Sequence, residues 1–339
     1  MNVLVDRHHA GLFHSLQLLF EDRLGMTVYT PIGHEWWDEN YWAFGQGYGD
    51  DRLAQQFLMV TPETNFRQYE GEMFTSNVLE QFGVIHDGHY PDRLIRGITL
   101  AEFRTMEWGY IVCSVQDNQH GFSRLAQEVG AKYVYQIGNV NAQVDWRLEP
   151  IALISAEHAP QGTSIVMHQE FDTDLFAFTP PGTDIVSMVN CFGSTYCATW
   201  WNEAKALLPE FTFREHGIDG ADGNIGPIAE QADAMRAAGW GWHDKVQGDG
   251  FGHVIHQWAA LGRPLIGHGS HYHGLMAAPF WEDGVTCLDL DRRSIADTVA
   301  LIREISGTER HAEMGRAIRA VFDGLVDFAA EAEAIRAIL

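Results

Sequence analysis

The feature that most constrains the fold is an alternation of short apolar runs with helix-period segments, and it starts twice along the chain. At the N-terminus "NVLV" reads as a strand, and "LFHSLQLLFEDRLG" repeats Leu12, Phe13, Leu16, Leu19 and Phe20 at helical spacing until Gly25 stops it. "MTVYTP" follows as the next strand, so strand, helix and strand within about thirty residues predict a right-handed βαβ unit. The pattern resumes with "TLAEFRTMEW" as helix, "GYIVCSV" as strand, "GFSRLAQEVG" as a helix closed by Gly130, and "AKYVYQIG" as strand. A second series opens at "IVSMVN" and continues through "YCATWWNEAKALLP", "FTFREHG", "GPIAEQADAMRAAG", "WGWHDKV", "GHVIHQWAALG", "PLIGH" and "VTCLDL" into helices that reach the C-terminus. Such alternation predicts an α/β protein with parallel sheets.

Two series predict two Rossmann-like domains facing a cleft, with the C-terminal helices packing back toward the N-terminal domain. The irregular stretch from Asn139 to Asp184 is the expected connection, which sets the domains at 1–165 and 166–339. Residues 33–90, with "GHEWWDENYWAFGQGYGDD", are aromatic and glycine-rich without a clean period, and read as an insertion or a long active-site loop. Trp36, Trp37, Tyr41 and Trp42 there read as packing or as a stacking surface for a sugar or base. No G-x-G-x-x-G follows the first strand, so the fingerprint of a dinucleotide dehydrogenase is missing.

Composition excludes further classes. At 339 residues the chain can bury two cores, and no run of 18 apolar residues is long enough to span a bilayer. The N-terminus lacks a basic segment followed by a long apolar one, so a cytoplasmic protein is expected. Cys113, Cys191, Cys197 and Cys287 are scattered without a C-x-x-C pair, and read as reduced structural thiols. Against 22 basic residues stand 46 acidic ones, and both halves are strongly acidic, which disfavours duplex nucleic acid as a partner. A local cluster such as Arg93, Arg96 and Arg104 leaves a groove for one open.

The segment "KVQGDGFGHVIHQWAALGRPLI", residues 245–266, carries the most specific chemistry. Gly250 and Gly252 permit close backbone approach, and the helix start at His253 presents N–H groups suited to a phosphate. A tight turn capped by Asp249 is the other reading of the same residues. Asp249, Gly250, Phe251, Gly252, the Gln257 eight positions on, and then Ala260, Gly262 and Pro264 resemble the donor-side motif of GT-B glycosyltransferases. That motif has Glu where Asp249 and Gln257 stand here. The N-terminal "DRHHAGLFHSLQLLFEDRLG" also resembles glycosyltransferase-like proteins of bacteriophages. The resemblance implies a nucleotide-sugar donor in the second domain, with Asp249 accepting hydrogen bonds from sugar hydroxyls and Gln257 near a ribose or sugar edge. Lys245, one of three lysines, then neutralises the departing phosphate, or else is a solvated surface lysine.

Further candidates lie at other strand ends. His8 and His9 follow the first strand, with Gly11 and His14 close behind, and either imidazole suits a general base if the reaction inverts. Asp6 orients a histidine or caps the helix. "SVQDNQHGF" places Asp117 and His120 at the end of another strand, and the resemblance implies a histidine in this region. "NCFGST" puts Gly193, Ser194 and Thr195 at a helix start suited to phosphate. "GHGSHYHG" gathers His268, His271 and His273 with no carboxylate or cysteine inside it, so it reads as a donor-side loop in which Ser270 and Tyr272 donate hydrogen bonds, and no metal is expected. "DLD", Asp289 and Asp291, reads as a strand end plus helix cap. His168, Gln169 and Glu170 fall in the connection as hinge residues.

The resulting expectation is a metal-independent glycosyltransferase, retaining rather than inverting, that needs no cofactor beyond its nucleotide-sugar. Its acceptor is a hydroxyl on modified DNA, protein or glycan. The alternatives are a sugar-nucleotide epimerase and a catalytically weak sugar or nucleotide binder.

Overall fold

The structure is a computed structural model that describes residues 1–7, 10–33, 35–41, 83–87, 89–138, 142–156, 160–189, 198–217, 220–246 and 248–339. The chain divides into two compact units, residues 1–171 with 328–339, and residues 172–327.

The first unit is built on an eight-stranded sheet in the order β3-β4-β2-β1-β5-β6-β7-β8. Its strands are β1 (Asn2–Val5), β2 (Thr27–Pro31), β3 (Val84–His86), β4 (Leu94–Ile98), β5 (Trp108–Cys113), β6 (Lys132–Ile137), β7 (Ile151–Ile154) and β8 (Ser164–Val166). All neighbours run parallel except β3 with β4. Side chains alternate across the sheet. Val3, Val5, Tyr110, Val112, Val134 and Leu153 join one apolar cluster, while Leu4, Ile111, Cys113, Tyr133, Tyr135 and Ile154 join another. Helices cover both faces, which is why these strands are apolar at nearly every position rather than at every second one.

The Gln119–Val129 helix ends where Gly130 takes a left-handed φ of 69° and offers its N–H to the last turn. The first helix is α-helical over Ala10–Gln17 and then widens to a π-helix over Leu18–Arg23, so the expected single helix has two geometries. The last helix, Phe328–Ile338, belongs to this unit: Ala332 and Ile335 pack into the cluster of Leu19 and Met167, and Glu331 accepts hydrogen bonds from His168 N at 2.8 Å and Nδ1 at 2.6 Å. Glu170 pairs with Arg23 at 2.5 Å. His168 and Glu170, expected as hinge residues, thus anchor elements of the first unit.

The second unit is a five-stranded parallel sheet in the order β10-β9-β11-β12-β13, from β9 (Asp184–Met188), β10 (Phe213–His216), β11 (Ala238–Trp242), β12 (Leu265–Gly267) and β13 (Cys287–Asp289). Strand order reverses between β9 and β11, the kind of place where open α/β sheets bind ligands beyond the carboxyl ends of their strands. Strand β11, "AGWGW", shows how sequence makes the packing. Trp240 and Trp242 enter the core with Ile185, Ile266 and Leu288. Gly241 falls on the opposite face, where an added Cβ would lie 2.8 Å from the Trp258 ring of the His253–Leu261 helix, so glycine lets that helix approach the strand. Arg263, fully buried, donates to the carbonyls of Thr179 (2.6 Å), Leu261 (2.8 Å) and Arg236 (2.8 Å), tying the helix ends to the incoming chain. Among the described residues, no helix is long and apolar enough to cross a membrane.

Candidate functional site

Strand β11 stops at Trp242, so "HDKV", which reads from sequence as its continuation, instead leaves the sheet at its carboxyl edge. This places His243, Asp244 and Lys245 beside the end of β12 and the loop that follows it. Asp249 follows, and the His253–Leu261 helix begins after Gly252, whose φ of 79° is readily available only to glycine. No side chain caps that helix start. Its first-turn N–H groups lack a capping side chain and carry the positive end of the helix dipole.

Asp249 is the centre of one constellation. Its Oδ2 lies 2.7 Å from Nε2 of the buried His243, and its Oδ1 accepts from Lys245 Nζ. Burial alone disfavours its charge, but the His243 hydrogen bond and the charges of His243 and Lys245 outweigh this and hold its carboxyl well below the usual carboxylate range. Lys245, which reads from sequence as a phosphate ligand or a solvated lysine, is therefore paired. Phe251 is buried and stacks on His256 with ring centroids 4.1 Å apart. Gln257, 1% exposed, accepts from Gln231 Nε2 at 2.9 Å within the helix layer. His253 is the first residue of the helix.

The loop after β12 forms the second constellation. His268 Nδ1 lies 2.7 Å from Oδ1 of the fully buried Asp244, and His271 Nδ1 lies 3.4 Å from the same oxygen. Burial opposes a charge on His268, while Asp244, Asp291 and Asp289 outweigh it and raise its pKa. The loop is pinned from β13: Gly269 N donates to Asp289 Oδ1 at 3.0 Å and Ser270 N to Asp291 Oδ2 at 2.7 Å. Asp291 caps this turn, whereas the following Ile295–Ile305 helix is capped by Ser294. Tyr272 is buried, stacks on Trp281 at 4.7 Å, and its hydroxyl accepts from Lys245 N at 3.4 Å. A Cβ at Gly248 would collide with the His271 carbonyl, so glycine there lets the two loops meet.

In the first unit, Asp117 and His120 are exposed, and His120 lies 3.5 Å from Asp145. The buried carboxylate at that sheet edge is Asp6, which crosses from β1 to the end of β5. It accepts from Ser114 N (2.7 Å), Ser114 Oγ (2.6 Å), Val115 N (3.1 Å) and Asn118 Nδ2 (3.2 Å). Burial dominates over these bonds and lifts its pKa to about 6. Trp36 donates to Ile98 O at 3.2 Å and Tyr41 to Glu128 at 2.6 Å, both as packing residues. His8, His9, Trp42, Gly193, Ser194 and Thr195 lie outside the described residues.

Two participants escape sequence reasoning: His243 and Asp244. Their signal is polar residues ending an apolar strand in a parallel sheet, and it is obscured because Val246 continues the apolar run.

No protein-family model matches this sequence, and no curated protein matches it. Solved structures do share its fold. HepE of Anabaena in complex with UDP and glucose superposes with a TM-score of 0.63 at 11% identity, over 99% of this chain and 98% of that one. Sucrose-phosphate synthase from Thermosynechococcus elongatus gives 0.62 at 12%, over 100% and 98%. A glycosyltransferase from Rickettsia africae gives 0.52 at 10%, over 99% and 97%. At these identities the likeness establishes the fold, the two-unit α/β architecture of GT-B glycosyltransferases that the sequence leads one to expect.

Proposed function

We propose that this chain is a glycosyltransferase that moves a sugar from a nucleotide-sugar to an acceptor hydroxyl. The observation that carries the reading is the Asp249–Gly252 turn feeding an uncapped helix start at the carboxyl edge of the second sheet, in a fold shared along nearly the whole chain with HepE, which was solved with UDP and glucose. In this reading the first-turn N–H groups of the His253–Leu261 helix take the donor diphosphate. The ionised Asp249 accepts hydrogen bonds from sugar hydroxyls. Lys245, already beside it, counters the charge that builds on the diphosphate as the bond from the anomeric carbon to the phosphate oxygen breaks. That bond's electron pair leaves with the nucleoside diphosphate, and the acceptor oxygen bonds to the anomeric carbon as its proton passes to the departing diphosphate oxygen. Retention is the expected course and requires no side-chain base. His8 and His9 belong to the proposal as bases for the inverting course, and Gly193 and Ser194 as further donor contacts. A net charge of −24 favours a glycan or protein acceptor over duplex DNA.

Incubation of the full-length protein with a panel of nucleotide-sugars tests this. Sugar transfer or slow donor hydrolysis supports the proposal. An isomerised donor would instead indicate an epimerase, and thermal stabilisation without turnover a binding protein, the outcome favoured if the internal pairing of Asp249 and Gln257 keeps them from the donor. Absence of any binding would remove the donor site altogether. Mass spectrometry of DNA, protein and glycans from co-expressing cells identifies the acceptor.

A further inference from the structure

Asp244, His268 and His271 offer three potential ligand atoms, one from each, that all lie within 4.8 Å of one another. In sequence the histidine spacing of "GHGSHYHG" suggests a metal only until the missing carboxylate is weighed; the fold supplies one from the neighbouring strand end, 24 residues earlier. His268 and His271 are three residues apart at a short 3-10 turn, Gly269–Tyr272, a geometry that stacks such positions one above the other. Their rings lie 5.1 Å apart, tilted by 32°.

The cluster is unsatisfied in a specific way. Asp244 is 0% exposed, and its Oδ2 has no hydrogen-bond partner among the described residues. The buried Nδ1 of His271 makes no hydrogen bond either, and its contact with Asp244 Oδ1 is a long one at 3.4 Å. A buried carboxylate oxygen and a buried ring nitrogen without hydrogen bonds each cost desolvation energy without return. One cation bonded to both removes both deficits. Zinc-class ions sit about 2.0 to 2.2 Å from imidazole nitrogen and carboxylate oxygen, so their ligand atoms stand roughly 3 to 4 Å apart. The 3.4 Å separation of Asp244 Oδ1 from His271 Nδ1 fits this, and the 2.7 Å hydrogen bond from His268 Nδ1 to the same oxygen needs only a small opening once the proton between them is replaced. The frame is stiff, since Asp289 and Asp291 hold the backbone of Gly269 and Ser270. Those two carboxylates also make the surroundings negative, and the nearest lysine, Lys245, is paired with Asp249.

We propose that Asp244, His268 and His271 bind one divalent transition-metal ion of the zinc class, with at least one coordination position left for an exogenous ligand. The proposal stands on these three side chains and does not depend on the donor reading. If that reading also holds, the ion offers a diphosphate the positive charge that three surrounding carboxylates otherwise deny it.

The test uses the full-length protein, stripped with a chelator, dialysed, and titrated with Co²⁺ and then Zn²⁺ without nucleotide. The expected result is a visible ligand-field band that saturates at one equivalent of Co²⁺ per chain and is displaced by Zn²⁺. His268→Gln and His271→Gln, each checked for native circular dichroism, weaken that binding by more than about tenfold. His271 lies at the partly exposed rim, so its variant keeps the fold even if the His268 variant does not. No saturable band, or a band that survives in the folded His271 variant, overturns the proposal. Because no nucleotide is present, failure to bind nucleotide-sugars would sink the donor reading and leave this result intact.

Discussion

Replacing Asp249 by Asn keeps its shape and removes its charge. The carboxylate accepts a 2.7 Å bond from His243 Nε2 and an ion-pair contact from Lys245. The bond to His243, which is 2% exposed, is the larger contribution, because Lys245 is about one-third exposed and its pairing is screened by solvent. A hydrogen bond to a buried charged group contributes about 1.5 to 3 kcal/mol, so Asp249→Asn lowers stability by about that amount. A domain of ordinary stability, about 5 to 15 kcal/mol, stays folded after such a loss. Transfer suffers separately: losing a charged acceptor to the sugar hydroxyls costs a similar energy in the transition state, hence more than a tenfold drop in kcat/KM. Urea denaturation measures the first effect and a steady-state donor-release assay the second. The pH dependence adds a sign. Since the folded-state pKa is depressed, the stability due to Asp249 is present above the unfolded value of 3.8 and is lost as pH falls toward the folded one. Asp249→Asn therefore differs most from wild type near neutrality and least in strong acid. A folded variant with transfer within twofold of wild type would refute the donor role, and unchanged stability at neutral pH would refute the His243 pairing.

Other perturbations probe the frame. Asp6 has the opposite sign: with a folded pKa of about 6 against 3.8, its contribution is complete below 3.8 and is lost as pH rises through 6, about 3 kcal/mol in all. Asp6→Asn flattens the stability curve across that window, and a slope equal to wild type in urea melts would show that burial does not dominate there. Arg263→Met leaves the carbonyls of Thr179, Leu261 and Arg236 short of their buried donor, and is expected to destabilise the second unit by about 1 to 3 kcal/mol for each carbonyl left unsatisfied, read in denaturant titrations. Gly241→Ala pushes Trp258 off the sheet and costs about 1 to 3 kcal/mol, read as a lower thermal midpoint with a shifted tryptophan emission.

Some of this was legible in the residues and some was not, for reasons of distance along the chain. Strands such as β1 and β5, the Gly130 helix stop, and the His253–Leu261 helix with Gly252 before it and Gly262 after it follow from local periodicity and backbone freedom. The stretch from Asn139 to Asp184 reads as irregular with short strand-like pieces although it holds β7 and β8, because no helix-period segment in the sequence sets those strands apart. The end of β11 was obscured by Val246. The Asp244 to His268 pair and the Asp6 staple on Ser114 join residues 24 and 108 positions apart, brought together only by the order of neighbouring strands. Strand order is a property of the whole sheet, so the histidines are legible locally and the carboxylate that holds them is not.

The Phe328–Ile338 helix has a consequence for how the molecule comes into being. Its Ala332 and Ile335 complete the cluster around Leu19 and Met167, yet the ribosome adds them only after all of residues 172–327. The unit whose synthesis starts first is therefore finished last: the middle unit can close while its predecessor still exposes Leu19 and Met167 to the cell. A chaperone that shields apolar surface in nascent chains would find its target at the beginning of this chain long after that segment has emerged.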